Sequence, residues 1–284
     1  VRRVDFNQGV DARILAKSEH FMKQLSRICL SPLRIAFDHV GLMKPYEQAV
    51  RYASASGLNF LSNYMLYNFH DSPNDLFQRM RINVSLNEEL GTQIYSFPMR
   101  YQPTDRPDRG HIGKHWNKYY LRSIQLILQA THGVVSGSPD FFKKAFGDNE
   151  KDFHNILKLP HKFIFHRDWY QKYEGRAEFD EYRSQYNSLS ESEKEEVLEL
   201  LCENTQSRYK EASMMLKNTK VKNVVKFFEP LTTEETLNIS QKQKKLKSES
   251  FEIKMMDDEI VEDAGLDHDP EKETVEQFKS VINR

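Results

Sequence analysis

The sequence contains very little cysteine. Only Cys29 and Cys202 are present among 284 residues, and no second cysteine lies at a spacing that suits a metal site. Two distant thiols argue against a disulfide framework and against a cysteine metal centre built from this chain alone. This usage favours a reducing compartment, and we expect a cytoplasmic protein.

Long apolar runs and an excess of charge of one sign are also missing. No stretch approaches the roughly 18 apolar residues of a membrane-spanning helix, and residues 1–3 lead into a predicted strand rather than a signal-peptide core. The 41 basic residues balance 42 acidic ones, giving a formal net charge of −1. We therefore expect a soluble protein with no membrane partner and no general electrostatic attraction to nucleic acid.

Four short apolar runs are present in residues 1–105, each ending at polar residues and each followed by a helix-like segment. The runs are DFNQGVDARIL (5–15), RIAFDHVG (34–41), NYMLYNFHDSPNDL (63–76) and YSFPMRYQPT (95–104). This alternation predicts an α/β fold, with consecutive units of a parallel βα barrel. Because the first residue already lies inside the first unit, we expect a partial, TIM-like barrel of about four units, truncated at its N-terminus.

Local signals place the elements of these units. Strands are predicted at residues 4–7, 33–37, 64–67 and 94–99. Phe21, Met22, Leu25 and Ile28 have the spacing of one buried helix stripe. A second helix is predicted at 45–56 with Gly57 as its left-handed cap, a third begins at SPND (72–75), and Gly91 ends it.

The chain is predicted to change character after residue 105. Residues 106–228 are expected to form a helical extension on the barrel, with one apolar face that includes Trp116, Tyr119, Tyr120, Leu121, Ile124 and Ile127. Residues 188–216 predict one well-capped amphipathic helix. Residues 229–284 carry a lysine cluster and then an acidic stretch, which predicts a disordered tail with a short helix near its end.

The candidate ligand-binding residues are the polar residues at the ends of the four strands, where a barrel holds its ligands. They are Asn7, Gln8, Asp11, Asp38, His39, Asn68, His70, Asp71, Arg100, Tyr101 and Gln102. Some of them have an alternative role as turn formers, since Asp71 suits a helix cap and Gln8 precedes a glycine. Four separate strands with the same pattern favour a shared site.

Other motifs carry weaker signals. His111 and His115 share a helix spacing, but two ligands do not make a metal site, and a surface or packing role is favoured. His161 and His166 flank an aromatic run and suit the edge of a core. The segment HGVVSGSP (132–139) lacks the lysine and spacing of a phosphate loop and is predicted to connect two helices.

Taken in order, the four runs resemble strands three to six of the radical S-adenosylmethionine (radical SAM) core, a partial six-stranded βα barrel. NYMLYNFHDSPNDL resembles the fifth strand with its following turn, although residues 68–73 contain no glycine. YSFPMRYQPT resembles the sixth strand, and RIAFDHVG the fourth. The family's CxxxCxxC loop, which ligates a [4Fe–4S] cluster after the first strand, is absent, and the two cysteines cannot replace three thiolates.

The resemblance implies reductive cleavage of S-adenosylmethionine by the cluster, giving a 5′-deoxyadenosyl radical that abstracts hydrogen from a substrate. It implies that Asp38 and His39 contact the ribose or methionine of the cofactor and that Asn68 and Asp71 contact the adenine side. Arg100 and Tyr101 would face the adenine or the substrate, and Gln8 and Asp11 complete the set of cofactor-binding residues. We expect a fragment that is not competent alone, with cluster ligands in a missing N-terminal part and an unknown substrate.

Three alternatives stay open. The first is a cluster-free module, derived from a barrel, with a binding or structural role. The second is a nucleic-acid or RNA-modification partner, suggested by the interleaved basic and aromatic residues of 100–144 and weakened by the near-neutral charge. The third is a different barrel enzyme that uses Asp and His as acid and base.

Overall fold

A computed structural model describes residues 4–28, 30–105, 108 and 110–262. These residues fall into two compact units, the first ending at Pro230 and the second beginning at Leu231. The first unit combines a mostly parallel sheet with many helices, so the α/β class predicted from the sequence is confirmed.

The sheet has five strands in the order in which they occur along the chain. They are β1 (Val10–Asp11), β2 (Leu33–Ala36), β3 (Phe60–Tyr67), β4 (Gln93–Arg100) and β5 (Val135–Ser136). Strands β1 to β4 pair in parallel, and β3 and β4 pair along their whole length, from Phe60 with Gln93 to Tyr67 with Arg100. Strand β5 pairs with β4 in the antiparallel direction. The three parallel connections between neighbouring strands each contain helices, as the βα pattern predicts.

The first strand differs from the prediction. Residues 4–7 make only one isolated parallel bridge, between Val4 and Leu30, and the strand β1 follows them. The reason is local, because Asn7 has a left-handed backbone (φ 55°) that interrupts an extended segment. Its N–H donates to Asp5 Oδ1 at 2.8 Å, closing a turn just before β1.

Four helices connect the parallel strands: α1 (Ala12–Leu15), α2 (Glu19–Leu25), α3 (Met43–Ala55) and α4 (Pro73–Leu90). The predicted buried stripe in α2 is wrong in part. Met22 is buried, but Phe21 and Ile28 are 42% and 41% exposed. The helix ends at Leu25, so Ile28 no longer shares its face.

The predicted helix ends are confirmed. Gly57 and Gly91 follow their helices with left-handed φ angles of 79° and 64°. Helix α4 begins with a complete capping box, in which the Ser72 hydroxyl accepts from the Asp75 N–H and the Asp75 carboxylate accepts from the Ser72 N–H. Pro73 follows at the first helical position, where its missing N–H costs nothing.

Helices α3 and α4 cover one face of the sheet. On that face the Asn63 amide donates to Tyr46 Oη of α3 at 2.7 Å, and the amide of Asn83 in α4 donates to Ser96 Oγ at 2.8 Å. Leu61 and Met65 lie two residues before and after Asn63 on β3, so they share its face of the sheet, and both are fully buried. The hydrophobic core of the sheet therefore lies between the strands and this helix layer.

The opposite face of the sheet, which we call the open face, is less covered. The strand residues between those that face α3 and α4 point to this face. Among them, Tyr64, Tyr95 and Phe97 are only partly buried. Met99 is 51% exposed. The Arg34 guanidinium lies 5.5 Å from the centre of the Tyr64 ring and belongs to the same face.

The rest of the first unit is helical. Its helices are α5 (Lys118–Ala130), α6 (Pro139–Phe146), α7 (Glu150–Leu157), α8 (His161–Phe165), α9 (Arg167–Lys172), α10 (Arg176–Asn187), α11 (Glu191–Glu203), α12 (Tyr209–Met214) and α13 (Thr219–Val225). The predicted apolar face of Trp116 and α5 is buried. The connection predicted at 132–139 also contains strand β5, a pairing that the sequence pattern did not indicate.

The single helix predicted at 188–216 is wrong. Helix α11 begins with a capping box of Ser190 and Glu193, but it ends at Glu203, and the backbone of Asn204 after it is extended. A 3-10 turn at Gln206–Arg208 and helix α12 follow. Asn204 caps the helix: its backbone N–H makes the last helical bond to the Leu200 carbonyl at 3.1 Å, and its side chain donates to the same oxygen at 2.9 Å.

The second unit contains helix α14, Thr233–Glu262. A helix thus occupies residues for which the sequence predicted disorder, and residues 263–284 lie outside the described part of the chain. Across the described residues, no helix combines the length and the apolar character needed to span a bilayer.

Candidate functional site

The candidate site is the edge of the sheet where the parallel strands β2, β3 and β4 end, with the segments 37–39, 68–71 and 100–102 that follow them. We call it the carboxyl edge. Parallel strands deliver their C-terminal loops to one side, so these three segments are neighbours. Most of the residues predicted from the sequence lie here, but their side chains have different tasks.

Asn68 organises the loop that follows β4. It is fully buried and has a left-handed backbone (φ 68°), which Asn tolerates better than most residues. Its amide donates to the carbonyls of Tyr101, at 3.3 Å, and His111, at 3.0 Å, and its Oδ1 accepts from the Gly113 N–H at 2.8 Å. With these bonds made, the Asn68 side chain positions residues 101–113 and does not face a ligand.

Asp71 belongs to a buried ion pair. Its Oδ2 accepts from Arg79 Nη2 at 2.8 Å, and both side chains are almost fully buried. Its Oδ1 accepts from the Phe69 N–H at 3.1 Å and from the Trp116 indole N–H at 3.2 Å. Burial raises the pKa of the Asp71 carboxyl, and the hydrogen bond from Phe69 and the charge of Arg79 oppose that shift.

Arg79 extends this network to β2. Its Nη1 donates to the carbonyls of Phe37 and Asp38, each at 3.1 Å, and its Nε donates to the Asp75 carbonyl at 3.2 Å. One guanidinium thus ties the end of β2 to the loop after β3 and to the first turn of α4. Burial lowers the pKa of this guanidinium, and the charges of the surrounding carboxylates counter the effect.

Asp38 and His39 have the opposite character. Both side chains are exposed at the end of β2, and His39 is the residue before the 3-10 turn Val40–Leu42. The backbone of Asp38 is held by Arg79, while its carboxylate is exposed to solvent. These two side chains are therefore able to meet a ligand at the carboxyl edge.

Arg100, Tyr101 and His111 form a third group. Arg100 Nη2 donates to the His111 carbonyl at 3.0 Å, the same oxygen that accepts from Asn68. The Tyr101 ring lies between the rings of Phe69, at 4.4 Å, and His111, at 5.2 Å. The structure thus brings Asn68, Arg100 and Tyr101 together, as predicted, and residues 111–113 hold them. Gln102 is partly buried beside them, and His70 is exposed.

The predicted site residues before and within β1 do not join this group. Gln8 and Asn7 are exposed before β1. Asp11 caps helix α1 by accepting from the Arg13 N–H at 2.8 Å, and it forms a salt bridge with the Arg13 side chain at 2.6 Å. These bonds lower the pKa of Asp11, whose carboxylate has a local partner.

Two interactions that shape the sheet and its carboxyl edge were not predicted from the sequence. Arg79 lies among Leu76, Met80 and Asn83 on the buried stripe of α4, and a charged residue at such a position was the available signal. The second is the Arg34–Asp5 pair on the open face, with Nε–Oδ1 and Nη2–Oδ2 distances of 2.9 and 2.8 Å. The spacing of 29 residues between these partners leaves no local pattern to find.

The described residues do not suit an iron–sulfur cluster. They contain no group of three or more His, Cys, Asp or Glu side chains that could hold a metal ion. Cys202 is partly buried on α11, and burial raises the pKa of its thiol, which disfavours the thiolate that iron needs. Cys29 lies outside the described residues.

No protein-family model matches this chain, and no curated protein or solved structure matches it either.

Proposed function

We propose that this chain is the C-terminal part of a radical SAM enzyme and that its sheet is half of a parallel βα barrel. The observation that carries the proposal is the strand order. Strands β1 to β4 follow one another without reversal, α3 and α4 cover one face, and the open face keeps Arg34, Tyr64 and Phe97 partly buried. A sheet wound in one direction with helices on one side is the arrangement that further strands close into a barrel.

The carboxyl edge is the proposed cofactor-facing surface. Asp38 and His39 present polar side chains to solvent there, and both suit hydrogen bonds to the ribose or methionine of S-adenosylmethionine. Arg100 and Tyr101 lie at the end of β4, beyond β3 on the same edge, and are proposed to contact the adenine or the substrate. Asn68 and Asp71, which the resemblance assigned to the adenine side, act in this proposal as positioning residues because their polar atoms hold the loops.

We assign the cluster ligands to residues other than the described ones, because the described side chains do not fit a cluster. The cluster would supply the electron for the radical chemistry, and this chain would supply the binding edge. A chain without the cluster ligands is not competent alone. A cytoplasmic location, where thiolates stay reduced, belongs to the same proposal.

The binding role of Asp38 is testable in a longer gene product that contains this chain. With the cluster reconstituted anaerobically, we expect Asp38→Ala to weaken S-adenosylmethionine binding about tenfold, the effect of losing one charge-assisted hydrogen bond. Asp140→Ala, an exposed carboxylate on α6, is the matched control and should leave the dissociation constant unchanged. Equal affinities for the parent and Asp38→Ala proteins would remove Asp38 from the binding site.

A cluster-free binding or structural module is the second candidate. The observation that favours it is the structural use of Asn68, Asp71 and Arg100, whose hydrogen bonds stabilise the carboxyl edge. If the chain is such a module, we expect no iron in any product that contains it and no effect of Asp38→Ala on S-adenosylmethionine binding.

A further inference from the structure

A separate cavity lies among the helices of the first unit and uses none of the carboxyl-edge residues. It has a volume of about 690 Å³, within the range of about 300–1,000 Å³ typical of small-molecule sites. Helix α7 with its C-cap contributes Lys151, Asn155 and Lys158, which share one helix face by their spacing. Helices α10 and α11 contribute the remaining walls.

The cavity concentrates positive charge in a chain that is nearly neutral overall. Lys151, Lys158, Arg183 and Lys194 line it, against the single carboxylate of Glu191. The formal charge of the lining is therefore +3, with His154 neutral. Burial, followed by the charge of Lys158, lowers the pKa of His154.

Three of the four cations have no acidic partner among the described residues. Lys194 pairs with Glu191 at 2.8 Å, but no salt bridge is made by Lys151, Lys158 or Arg183 in the described part of the chain. The hydrogen bond from Lys194 lowers the pKa of Glu191, and the charges of Lys158 and Lys151 add to the shift. Three of the lining cations, Lys151, Lys158 and Lys194, thus act on the same carboxylate.

Aromatic rings lie against two of the four cations, Arg183 and Lys194. The Arg183 guanidinium lies 5.9 Å from the centre of the buried Phe179 ring, and Lys194 Nζ lies 5.7 Å from the Tyr186 ring. Tyr186 stacks on the buried Tyr182 ring at 5.5 Å. Cations held over rings lose less conformational entropy when they bind a ligand than free surface side chains do.

We propose that this cavity binds a small molecule that carries a diphosphate group. Three cations without acidic partners line one cavity that opens to solvent, and Lys and Arg are the residues that best complement phosphate oxygens. The amide groups of Asn155 and Asn187 add neutral hydrogen-bond donors. The site stands independently of the radical SAM proposal, because its helices contribute nothing to the carboxyl edge.

The test is isothermal titration calorimetry of the full 284-residue chain with inorganic pyrophosphate and, separately, with adenosine diphosphate. We expect saturable binding at one site and a loss of at least about tenfold in the Lys151→Gln/Lys158→Gln double variant, since charge-assisted contacts to phosphate are removed. Lys210→Gln, an exposed lysine on α12, is the control with the same chemical change and should bind like the parent. Thermal unfolding of each variant confirms that the fold is kept.

The two probes separate the sources of the diphosphate. Equal affinities identify the diphosphate alone as the recognised group, and tighter binding of adenosine diphosphate adds the nucleoside; both results support the site. Absence of saturable binding by either probe overturns the proposal, as does equal affinity in the double variant and the parent. Binding of a single-stranded RNA that pyrophosphate does not displace, and that the double variant weakens, would assign the cations to nucleic acid and also overturn it.

Discussion

At the scale of single residues, the carboxyl edge is arranged around one buried guanidinium. Arg79 contacts Asp71, the carbonyls of Phe37 and Asp38, and the first turn of α4. The sequence predicted where Asp71 lies but not what it does. A carboxylate after a strand looks the same whether it faces solvent or an arginine eight residues away, and only packing against α4 decides which.

We expect Arg79→Ala to destabilise the protein by about 3–5 kcal/mol, because it leaves the Asp71 carboxylate buried without its cation. The free energy of unfolding in urea measures the effect. Arg122→Ala, on the exposed face of α5, is the control and should change stability by less than about 1 kcal/mol.

A double variant tests whether the unpaired charge of Asp71 causes the loss of stability in Arg79→Ala. Asp71→Asn combined with Arg79→Met removes both charges and keeps most of the volume, so the double variant should lose clearly less stability than Arg79→Ala. A double variant as unstable as Arg79→Ala would show that volume, and not the unpaired charge, is responsible.

His161 gives the fold a pH dependence. It is 8% exposed and stacks on Tyr119 with ring centres 4.3 Å apart, and burial lowers its pKa from 6.5 to about 4. Between these values the unfolded chain binds a proton that the folded chain excludes, so stability falls as the pH falls. At pH 5 the loss relative to pH 7 should be about 2 kcal/mol from this residue.

The measurement compares the unfolding free energy at pH 7 and pH 5 in the parent and in His161→Phe, which keeps a ring against Tyr119. The variant should lose about 2 kcal/mol less between the two pH values. His20→Gln, on the exposed surface of α2, should retain the pH dependence of the parent. An unchanged slope in His161→Phe would place the titrating group elsewhere.

At the scale of elements, local chemistry determined the helix ends that the sequence predicted well. The capping box at Ser72 and the left-handed Gly57 and Gly91 depend on neighbours within a few residues. The helix predicted at 188–216 was wrong because the backbone of Asn204 is extended and its side chain caps α11 at the Leu200 carbonyl. Strand β5 was missed because its two residues gain stability only by pairing with the distant β4.

The loop after β4 depends on a glycine that allows close backbone contact. A Cβ atom at Gly113 would lie 2.7 Å from the Phe69 carbonyl oxygen, whereas at Gly110 the nearest atom is an Asp108 carboxylate oxygen at 3.5 Å. We expect Gly113→Ala to cost about 1–3 kcal/mol of stability, since the backbone has to move.

Gly110→Ala is the matched control for the loop and should cost less than about 1 kcal/mol. Urea unfolding of the two variants gives the comparison. Equal stabilities for Gly113→Ala and the parent would show that the loop does not depend on the contact with the segment after β3.

At the scale of the whole molecule, the first unit is a sheet wound in one direction with helices on one face. This topology could be predicted from the order of apolar runs and polar strand ends, because each βα unit has a recognisable local sequence pattern. The pairing of Arg34 with Asp5 and the cavity among α7, α10 and α11 could not, since both combine residues that are far apart in the chain.

We propose that this chain contributes the binding edge of a radical SAM enzyme whose cluster is held by other residues. The most direct test is anaerobic iron and sulfide analysis, with visible absorbance, of a longer gene product beside the 284-residue chain. The account predicts a cluster in the longer product and none in the chain alone, because the described side chains do not fit one. No cluster in either protein would contradict it.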